Sequence, residues 1–339
     1  MDLSIVTTLY RSEAYVREFY TRASAAASTL TPNFEIIFVN DGSPDESLAR
    51  ALELYRDDQR VRIVDLSRNF GHHRAIMTGL QHATGELVFL IDSDLEEDPG
   101  WLPEFARTLR AAGTDVVYGV QRRRKGSWFE RLTGQVAYGI YHALLNQPIP
   151  RNVLTVRLMS RRYVAQLVQH RDREICLAGL WVLTGFEQLP LPVDKRNREG
   201  RSYRIRQRLS ALVNAVTSFS NRPLIYIFYM GCVLIALSTS AGAFLLYRAV
   251  FHHVDVPGYV SLIMSVWFLG GVTIFCLGVI GIYLAKIFME TKDRPYTIVR
   301  AEYSHPAAGT IEDHAPLVAS TERAGQSSHD SATPRPVRP

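Results

Sequence analysis

Short apolar runs alternate with amphipathic stretches through the first hundred residues of the chain. Four of these runs have the length and continuous apolarity of buried parallel strands: residues 4–8, 34–39, 61–66 and 87–91. Helical stretches follow the first three and begin near Glu13, Pro44 and His72. Because strands that alternate with helices usually form a parallel sheet covered by helices, the pattern predicts an α/β fold with a Rossmann-like, mostly parallel sheet.

Two much longer apolar runs lie in the last third of the chain. Residues 224–247 and 256–285 contain no charged residue, and each run exceeds the roughly 20 residues needed to cross a bilayer. Two buried helices of a soluble core would not need runs this long, so we predict a transmembrane hairpin. Cations cluster on its outer flanks: Arg204, Arg206, Arg208 and Arg222 before it, and Lys286, Lys292, Arg294 and Arg300 after it.

The short loop between the two runs carries only Arg248. By the positive-inside rule, both chain ends are expected in the cytosol and the loop outside. We therefore expect a multi-pass protein of the inner membrane whose chain passes from Met1 into a strand without a signal peptide. The predicted parts are an α/β domain (1–200), a juxtamembrane helix (201–222), membrane helices (223–248 and 256–286) around the loop (249–255), a post-membrane segment (287–303) and a disordered tail (304–339).

The net charge of +5 and the pI near 9.1 are compatible with an anionic partner such as nucleic acid or anionic lipid. Two basic amphipathic stretches, near residues 122–144 and 204–219, can lie at the bilayer interface, although packing on the domain with solvated arginines stays open for both. Because the cations cluster beside membrane segments, the bilayer is a better partner than nucleic acid. The three cysteines are far apart and predict neither disulfides nor a zinc site.

Polar residues follow each of the four predicted strands. They are Tyr10 to Glu13, Asn40 to Ser43, Arg68 to Gly71, and the pair Asp92 and Asp94. The carboxyl ends of parallel strands share the edge at which open α/β sheets bind ligands. Two carboxylates one residue apart can point to the same side and suit Mg²⁺ or Mn²⁺ carrying a diphosphate. A solvated turn would explain Asp92 and Asp94 alone, but not four polar loops at one edge.

These spaced motifs resemble the family 2 glycosyltransferases, which have the GT-A fold. With the membrane hairpin, the chain resembles the branch that uses polyprenyl phosphates, including dolichyl-phosphate mannose synthases and bacterial undecaprenyl-phosphate sugar transferases; the resemblance spans about residues 3–299. It implies that Asp41 contacts the nucleobase, Asp92 the ribose or diphosphate, and Asp94 the metal, with help from Glu96. It also implies donor contacts by Tyr10, Glu13 and Arg68, and catalytic roles for Asp92, Asp94 and Arg157.

For the acceptor phosphate, the resemblance implies contacts with Arg122, Arg131, Arg198 and Ser202. The chain departs from the family at Thr155, where many relatives carry an aspartate that is considered a possible base. A phosphate acceptor with a second pKa near 6 is largely ionised at neutral pH and needs little deprotonation. Thr8 and Arg11 also depart from frequent Pro and Asn, which leaves nucleotide and sugar preference open.

The resemblance therefore implies inverting transfer of one sugar from a nucleotide sugar, with UDP expected, to undecaprenyl or a similar polyprenyl phosphate for the cell envelope. The expected partners are this donor, this acceptor and the bilayer, and a homo-oligomer is left open. Transfer to another membrane-proximal acceptor is an alternative, as is an inactive nucleotide-sugar-binding assembly protein. The adjacent histidines His72 and His73 lack metal-ligand spacing and are interpreted as helix-start residues.

Overall fold

The computed structural model describes residues 1–122, 152–172, 177–195, 222–251, 258–292 and 294–305. Within this part of the chain, eight strands form one sheet in the order β7-β5-β6-β4-β1-β2-β3-β8. The strands are β1 (Leu3–Leu9), β2 (Phe34–Asn40), β3 (Val61–Leu66), β4 (Leu87–Leu90), β5 (Val116–Gln121), β6 (Val153–Ser160), β7 (Gln188–Val193) and β8 (Val299–Tyr303).

Helices cover both faces of this sheet. The helices of the domain are α1 (Val16–Ser28), α2 (Ser47–Asp57), α3 (His72–His82), α4 (Leu102–Ala112), α5 (Arg161–Leu167) and α6 (Leu177–Leu183). Helices α1, α2 and α4 pack in the core on one face, and α3, α5 and α6 pack in the core on the other. Every residue of β1 and β2 is buried, as expected for strands with helices on both sides.

The central strands confirm the predicted parallel sheet. Strand β1 pairs in parallel with β2 and β4, and β2 pairs in parallel with β3. Strand β6 is antiparallel to both β4 and β5, so β5 runs in the same direction as β4. The sheet is therefore mixed overall, but the four strands predicted from the apolar runs end at one common edge.

Two long helices follow the domain, α7 (Arg222–Phe251) and α8 (Tyr259–Thr291). Their segments Arg222–Ala241 and Ser265–Thr291 are long and apolar enough to cross a membrane, and neither is buried in the protein. Large apolar side chains such as Phe228 and Trp267 are instead exposed. The predicted interfacial stretches, the centre of the connecting loop and nearly all of the tail lie outside the described residues.

The chain returns to the sheet after the second long helix. Strand β8 pairs antiparallel with β3, and the Ser67 N–H donates to the Ile298 carbonyl at 2.9 Å. Arg62 also forms an ion pair with Glu302 at 2.9 Å. The sequence predicted only a post-membrane segment over 287–303, so it missed this strand. The sheet domain therefore includes chain segments that precede and follow the two long helices in sequence, and it extends beyond the predicted range 1–200.

Candidate active site

Hydrogen bonds join the loops after β1 and β2. The backbone N–H groups of Arg11 and Glu13 donate to Ser43 Oγ at 2.8 Å and to Asp45 Oδ2 at 3.1 Å. Although burial alone would raise the pKa of Asp45, hydrogen bonds led by those from Ser43 and Ser47 lower it. These loops border an open polar depression of about 500 Å³, lined by Arg11, Glu13, Ala14, Tyr15, Asp45 and Arg50. Its volume falls within the range of small-ligand sites, about 300–1,000 Å³.

Asp41 joins the loop after β2 to the loop after β3. Its side chain is buried, and its two carboxylate oxygens accept the N–H groups of Phe70 at 2.7 Å and Gly71 at 3.0 Å. Burial raises the pKa of Asp41 even though these two donors favour the charged form. The visible role of Asp41 is thus to hold the two loops together, and its nucleobase contact stays a prediction.

Gly42 allows the same two loops to pack backbone against backbone. It has a positive φ of 57°, and a Cβ atom there would lie 2.4 Å from the backbone of Arg68 and of Asn69. The Arg68 guanidinium lies over the Phe70 ring, 4.1 Å from its centroid. Tyr10 is 45 % exposed at this edge and Arg68 is exposed as well, so both predicted donor contacts are accessible there.

The Asp92 and Asp94 pair lies directly beyond β4. Between them, Ser93 is buried and its hydroxyl donates to the Thr8 carbonyl at 2.8 Å, which leaves the two aspartates on the more open side. Asp94 Oδ1 accepts the Glu96 N–H at 3.1 Å, and Leu95 between them has a left-handed φ of 59°. A non-glycine residue with this backbone conformation is uncommon.

His72 contacts Asp92 in a way that the sequence analysis missed. Its Nε2 atom is 3.3 Å from Asp92 Oδ1, and its Nδ1 atom is 3.1 Å from Thr8 Oγ1. Burial raises the pKa of Asp92 and the neighbouring Asp94 adds to this, whereas His72 opposes it. His72 does begin helix α3, as predicted, but only the packing of α3 on the sheet shows its contact with Asp92.

Glu97 and Lys195 form a second group that the sequence analysis missed. Glu97 is fully buried and accepts the Thr155 N–H at 3.2 Å, and burial raises its pKa to about 8. Lys195 Nζ lies 3.1 Å from Glu96 and 4.0 Å from Glu97. Five carboxylates between Asp92 and Asp98 were the available sequence signal. That signal did not show which carboxylate is buried or which cation faces it.

Asp94 and Glu96 are the predicted ligands of a divalent cation that arrives together with a diphosphate, and Glu96 also lies 3.1 Å from Lys195 Nζ. Among the described residues, no group of three or more His, Cys, Asp or Glu side chains is placed to hold a metal by itself. Mg²⁺ usually binds one or two carboxylates and completes its shell with substrate phosphates and water. Two carboxylates beside an open edge are therefore a suitable protein contribution for Mg²⁺ or Mn²⁺.

The predicted acceptor residues are placed only in part. Arg157, which was predicted as a catalytic residue, is 1 % exposed, donates from Nε to the Thr155 carbonyl at 3.2 Å and stacks on Trp181, and burial lowers its pKa to about 9. Arg157 thus lies in the interior behind the site rather than on an open wall. Arg122 lies just beyond β5, 3.8 Å from Asp194. Arg131, Arg198 and Ser202 lie outside the described residues.

The chain is similar in sequence to known glycosyltransferases. The family model for glycosyl transferase family 2 matches residues 4–168, which include all four loops of the site. A glycosyltransferase-named protein of Mycobacterium tuberculosis (strain CDC 1551 / Oshkosh) is 52% identical over 303 residues, covering 89% of each chain. A prophage bactoprenol glucosyl transferase homolog of Escherichia coli (strain K12) is 29% identical over 304 residues, covering 88% of this chain and 99% of its own.

The chain also matches a solved structure over part of its length. Glucosyl-3-phosphoglycerate synthase from Mycobacterium tuberculosis, in complex with Mn²⁺, UDP and phosphoglyceric acid, is 21% identical, with a TM-score of 0.44 over 62% of this chain and 74% of its own. The family model and the sequence relatives confirm the predicted family. The chain belongs to glycosyltransferase family 2.

Proposed function

We propose that this glycosyltransferase transfers one sugar from a nucleotide sugar, expected to be a UDP-sugar, to a polyprenyl phosphate at the cytoplasmic face of the inner membrane. The observation that carries the proposal is the Asp92 and Asp94 loop at an edge shared by four parallel strands, in a chain with an exposed apolar helical hairpin. The bactoprenol glucosyl transferase named among the relatives supports this class of acceptor.

The donor is assigned to the loops after β1 to β4. Tyr10, Glu13, Asp41 and Arg68 are the proposed contacts for the nucleoside, and Asp92 for the ribose or diphosphate. Asp94 and Glu96 would hold Mg²⁺ or Mn²⁺, which when bound supplies positive charge for the leaving diphosphate. Lys195 lies 3.1 Å from Glu96 and provides a second positive charge at the same loop.

The acceptor supplies its own nucleophile. An ionised phosphate oxygen attacks the anomeric carbon, the bond from that carbon to the diphosphate breaks, and the nucleoside diphosphate leaves with the electron pair. Because the phosphate is ionised already, no strong base is required, and Thr155 in place of an aspartate is compatible with turnover. Attack opposite the leaving group inverts the anomeric configuration. Arg122, Arg131, Arg198 and Ser202 are the proposed contacts for the acceptor phosphate, with Arg157 behind them.

The hairpin is assigned to the bilayer with both ends on the side of the domain. A core helix of a soluble protein would be covered, whereas α7 and α8 leave their apolar side chains exposed. Strand β8 follows α8 and pairs with β3, so the carboxyl end of α8 lies on the same side as the sheet. This return of the chain supports the orientation predicted from flanking cations.

The test compares transfer by wild type, Asp94→Asn and Asp98→Asn in membrane vesicles. Undecaprenyl phosphate is supplied with a panel of labelled nucleotide sugars and Mg²⁺ or Mn²⁺, and the labelled lipid product is measured. Asp94→Asn should abolish transfer while insertion and folding persist, because it removes a charge from the proposed cation site. Asp98→Asn is the matched control in the same loop: Asp98 caps a short turn through the Gly100 N–H, and asparagine can cap equally well.

Normal metal-dependent transfer by Asp94→Asn would refute the site assignment. Transfer by wild type to a lipid-linked saccharide but not to undecaprenyl phosphate would show that the acceptor is the lipid-linked saccharide and not a polyprenyl phosphate. Donor binding without transfer to any acceptor would instead favour a nucleotide-sugar-binding assembly protein.

A further inference from the structure

The His72 side chain connects three parts of the fold beside the Asp92 carboxylate. Thr8 lies near the end of β1, His72 begins α3, and Asp92 follows β4. The His72 ring lies between the other two side chains, with Nδ1 3.1 Å from Thr8 Oγ1 and Nε2 3.3 Å from Asp92 Oδ1. The Thr155 side chain also interacts with Asp92.

The chemistry of the three groups sets the roles in these polar contacts. A carboxylate oxygen of Asp92 is an acceptor, so the His72 ring can interact favourably with it only when Nε2, which lies 3.3 Å away, carries a proton. In the neutral ring, Nδ1 then accepts, and the Thr8 hydroxyl donates to it. The Asp92 carboxylate thus favours the tautomer with the proton on Nε2, and the Thr8 hydroxyl, which can donate to Nδ1, orients the ring in that state.

Two threonine side chains lie around this contact. Thr8 contacts His72, and Thr155 interacts with Asp92. Valine can replace threonine with nearly the same shape, so the hydroxyl can be removed without altering the packing of β1.

We propose that His72 is a positioning residue for the donor site and that Thr8 orients it, so that the Asp92 carboxylate is held toward the ribose or diphosphate of the nucleotide. This inference rests on the proposed function. The His72 side chain is 46% exposed, so little of its effect can come from core packing. In metal sites, removing a side chain that orients a ligand residue typically costs about 10–100-fold in affinity or activity, and Asp92 adjoins the proposed cation site at Asp94.

The test measures the dissociation constant of UDP in the presence of Mg²⁺, using calorimetry on the full chain in detergent. His72→Ala should raise this constant about tenfold, and Thr8→Val about threefold or more, because each removes a link to Asp92. His72→Gln retains a side-chain N–H donor and should recover most of the affinity, as should Thr8→Ser, which retains the hydroxyl. In the His72→Ala background, Thr8→Val should change the constant less than twofold.

Thr7→Val is the matched control in the same strand. Thr7 is also buried, but among the residues that the structure describes its hydroxyl has no hydrogen-bond partner. Its substitution should leave UDP binding unchanged. Equal effects of Thr7→Val and Thr8→Val, an unchanged constant in His72→Ala, or a full Thr8→Val effect in the His72→Ala background would overturn the proposal.

Sugar transfer by the same wild-type preparation separates this inference from the function on which it rests. Normal transfer combined with wild-type UDP binding by His72→Ala would refute the positioning role alone. Absence of transfer combined with the expected changes in UDP binding would refute the acceptor chemistry and leave the positioning role supported.

Discussion

Replacing Gly42 by alanine should disrupt the donor site through the backbone alone. The residue has a φ of 57°, and its new Cβ atom would lie 2.4 Å from the backbone of Arg68 and of Asn69. Neither of those groups is the end of a flexible side chain, so the loop after β2 must move away from the loop after β3. Asp41, whose carboxylate holds the second loop through Phe70 and Gly71, would be displaced with it.

The expected magnitude has two parts. A left-handed conformation costs a residue with a Cβ atom about 1–2 kcal/mol. The overlap with the neighbouring backbone adds about 1–3 kcal/mol, typical of overpacking a well-packed site. The free energy of unfolding of the domain should therefore fall by about 2–5 kcal/mol, which corresponds to a decrease in Tm of about 5–15 °C for a domain of this size.

Gly113→Ala is a matched control for the conformational part. Gly113 has a φ of 65° at the end of α4, but a Cβ atom there would meet nothing within 4 Å. It also precedes β5, at the edge of the sheet opposite the site. Its substitution should lower the free energy of unfolding by only about 1–2 kcal/mol and leave UDP affinity unchanged.

The assay is thermal unfolding of both variants in detergent, together with UDP binding in the presence of Mg²⁺. Gly42→Ala should lose more stability than Gly113→Ala and should also bind UDP more weakly. Equal losses of stability in the two variants, with UDP affinity retained, would show that the contact with Arg68 and Asn69 contributes nothing beyond the backbone conformation.

Three further predictions concern the return strand, Glu97 and the membrane orientation. Deleting residues 306–339 should leave transfer near the wild-type rate. Deleting residues 299–339 should sharply reduce transfer in equally inserted protein, because β3 loses its partner strand β8. Equal activity of the two truncations would contradict a role for β8. Folded Glu97 holds its proton to about pH 8, but an unfolded glutamate releases it near 4.5, so the free energy of unfolding should fall with rising pH over this window, by up to about 1.4 kcal/mol per pH unit. Unfolding midpoints measured against pH should show this slope in wild type and lose it in Glu97→Gln, and a slope that persists in the variant would assign it to another group. A cysteine reporter at residues 249–255 should react with an impermeant reagent on intact cells, whereas one near Ser304 should react only after the membrane is opened; the reverse labelling would refute the cytosolic active site.

The sequence alone determined the central sheet, the common edge of its loops and the helical hairpin. The first four strands are continuous apolar runs, which only burial on both faces satisfies, and their alternation with helices requires a parallel arrangement. Parallel strands place their carboxyl ends together, so Asp41, Arg68 and Asp92 could be assigned to one edge before any contact was known. The two long uncharged runs also predicted the helical hairpin, because few soluble folds contain apolar runs of this length.

Only the tertiary structure decided which side chains support the site. His72 meets Asp92 because α3 packs on β1 and β2, and Lys195 meets Glu96 because β7 runs beside β5. Strand β8 is short and partly exposed at the edge of the sheet, so its sequence lacks the continuous apolar run of an interior strand. Its partner is set by the open edge of β3. The local pattern of apolar and polar residues predicts which residues of a segment are buried, whereas contacts between distant segments depend on how the whole sheet is assembled.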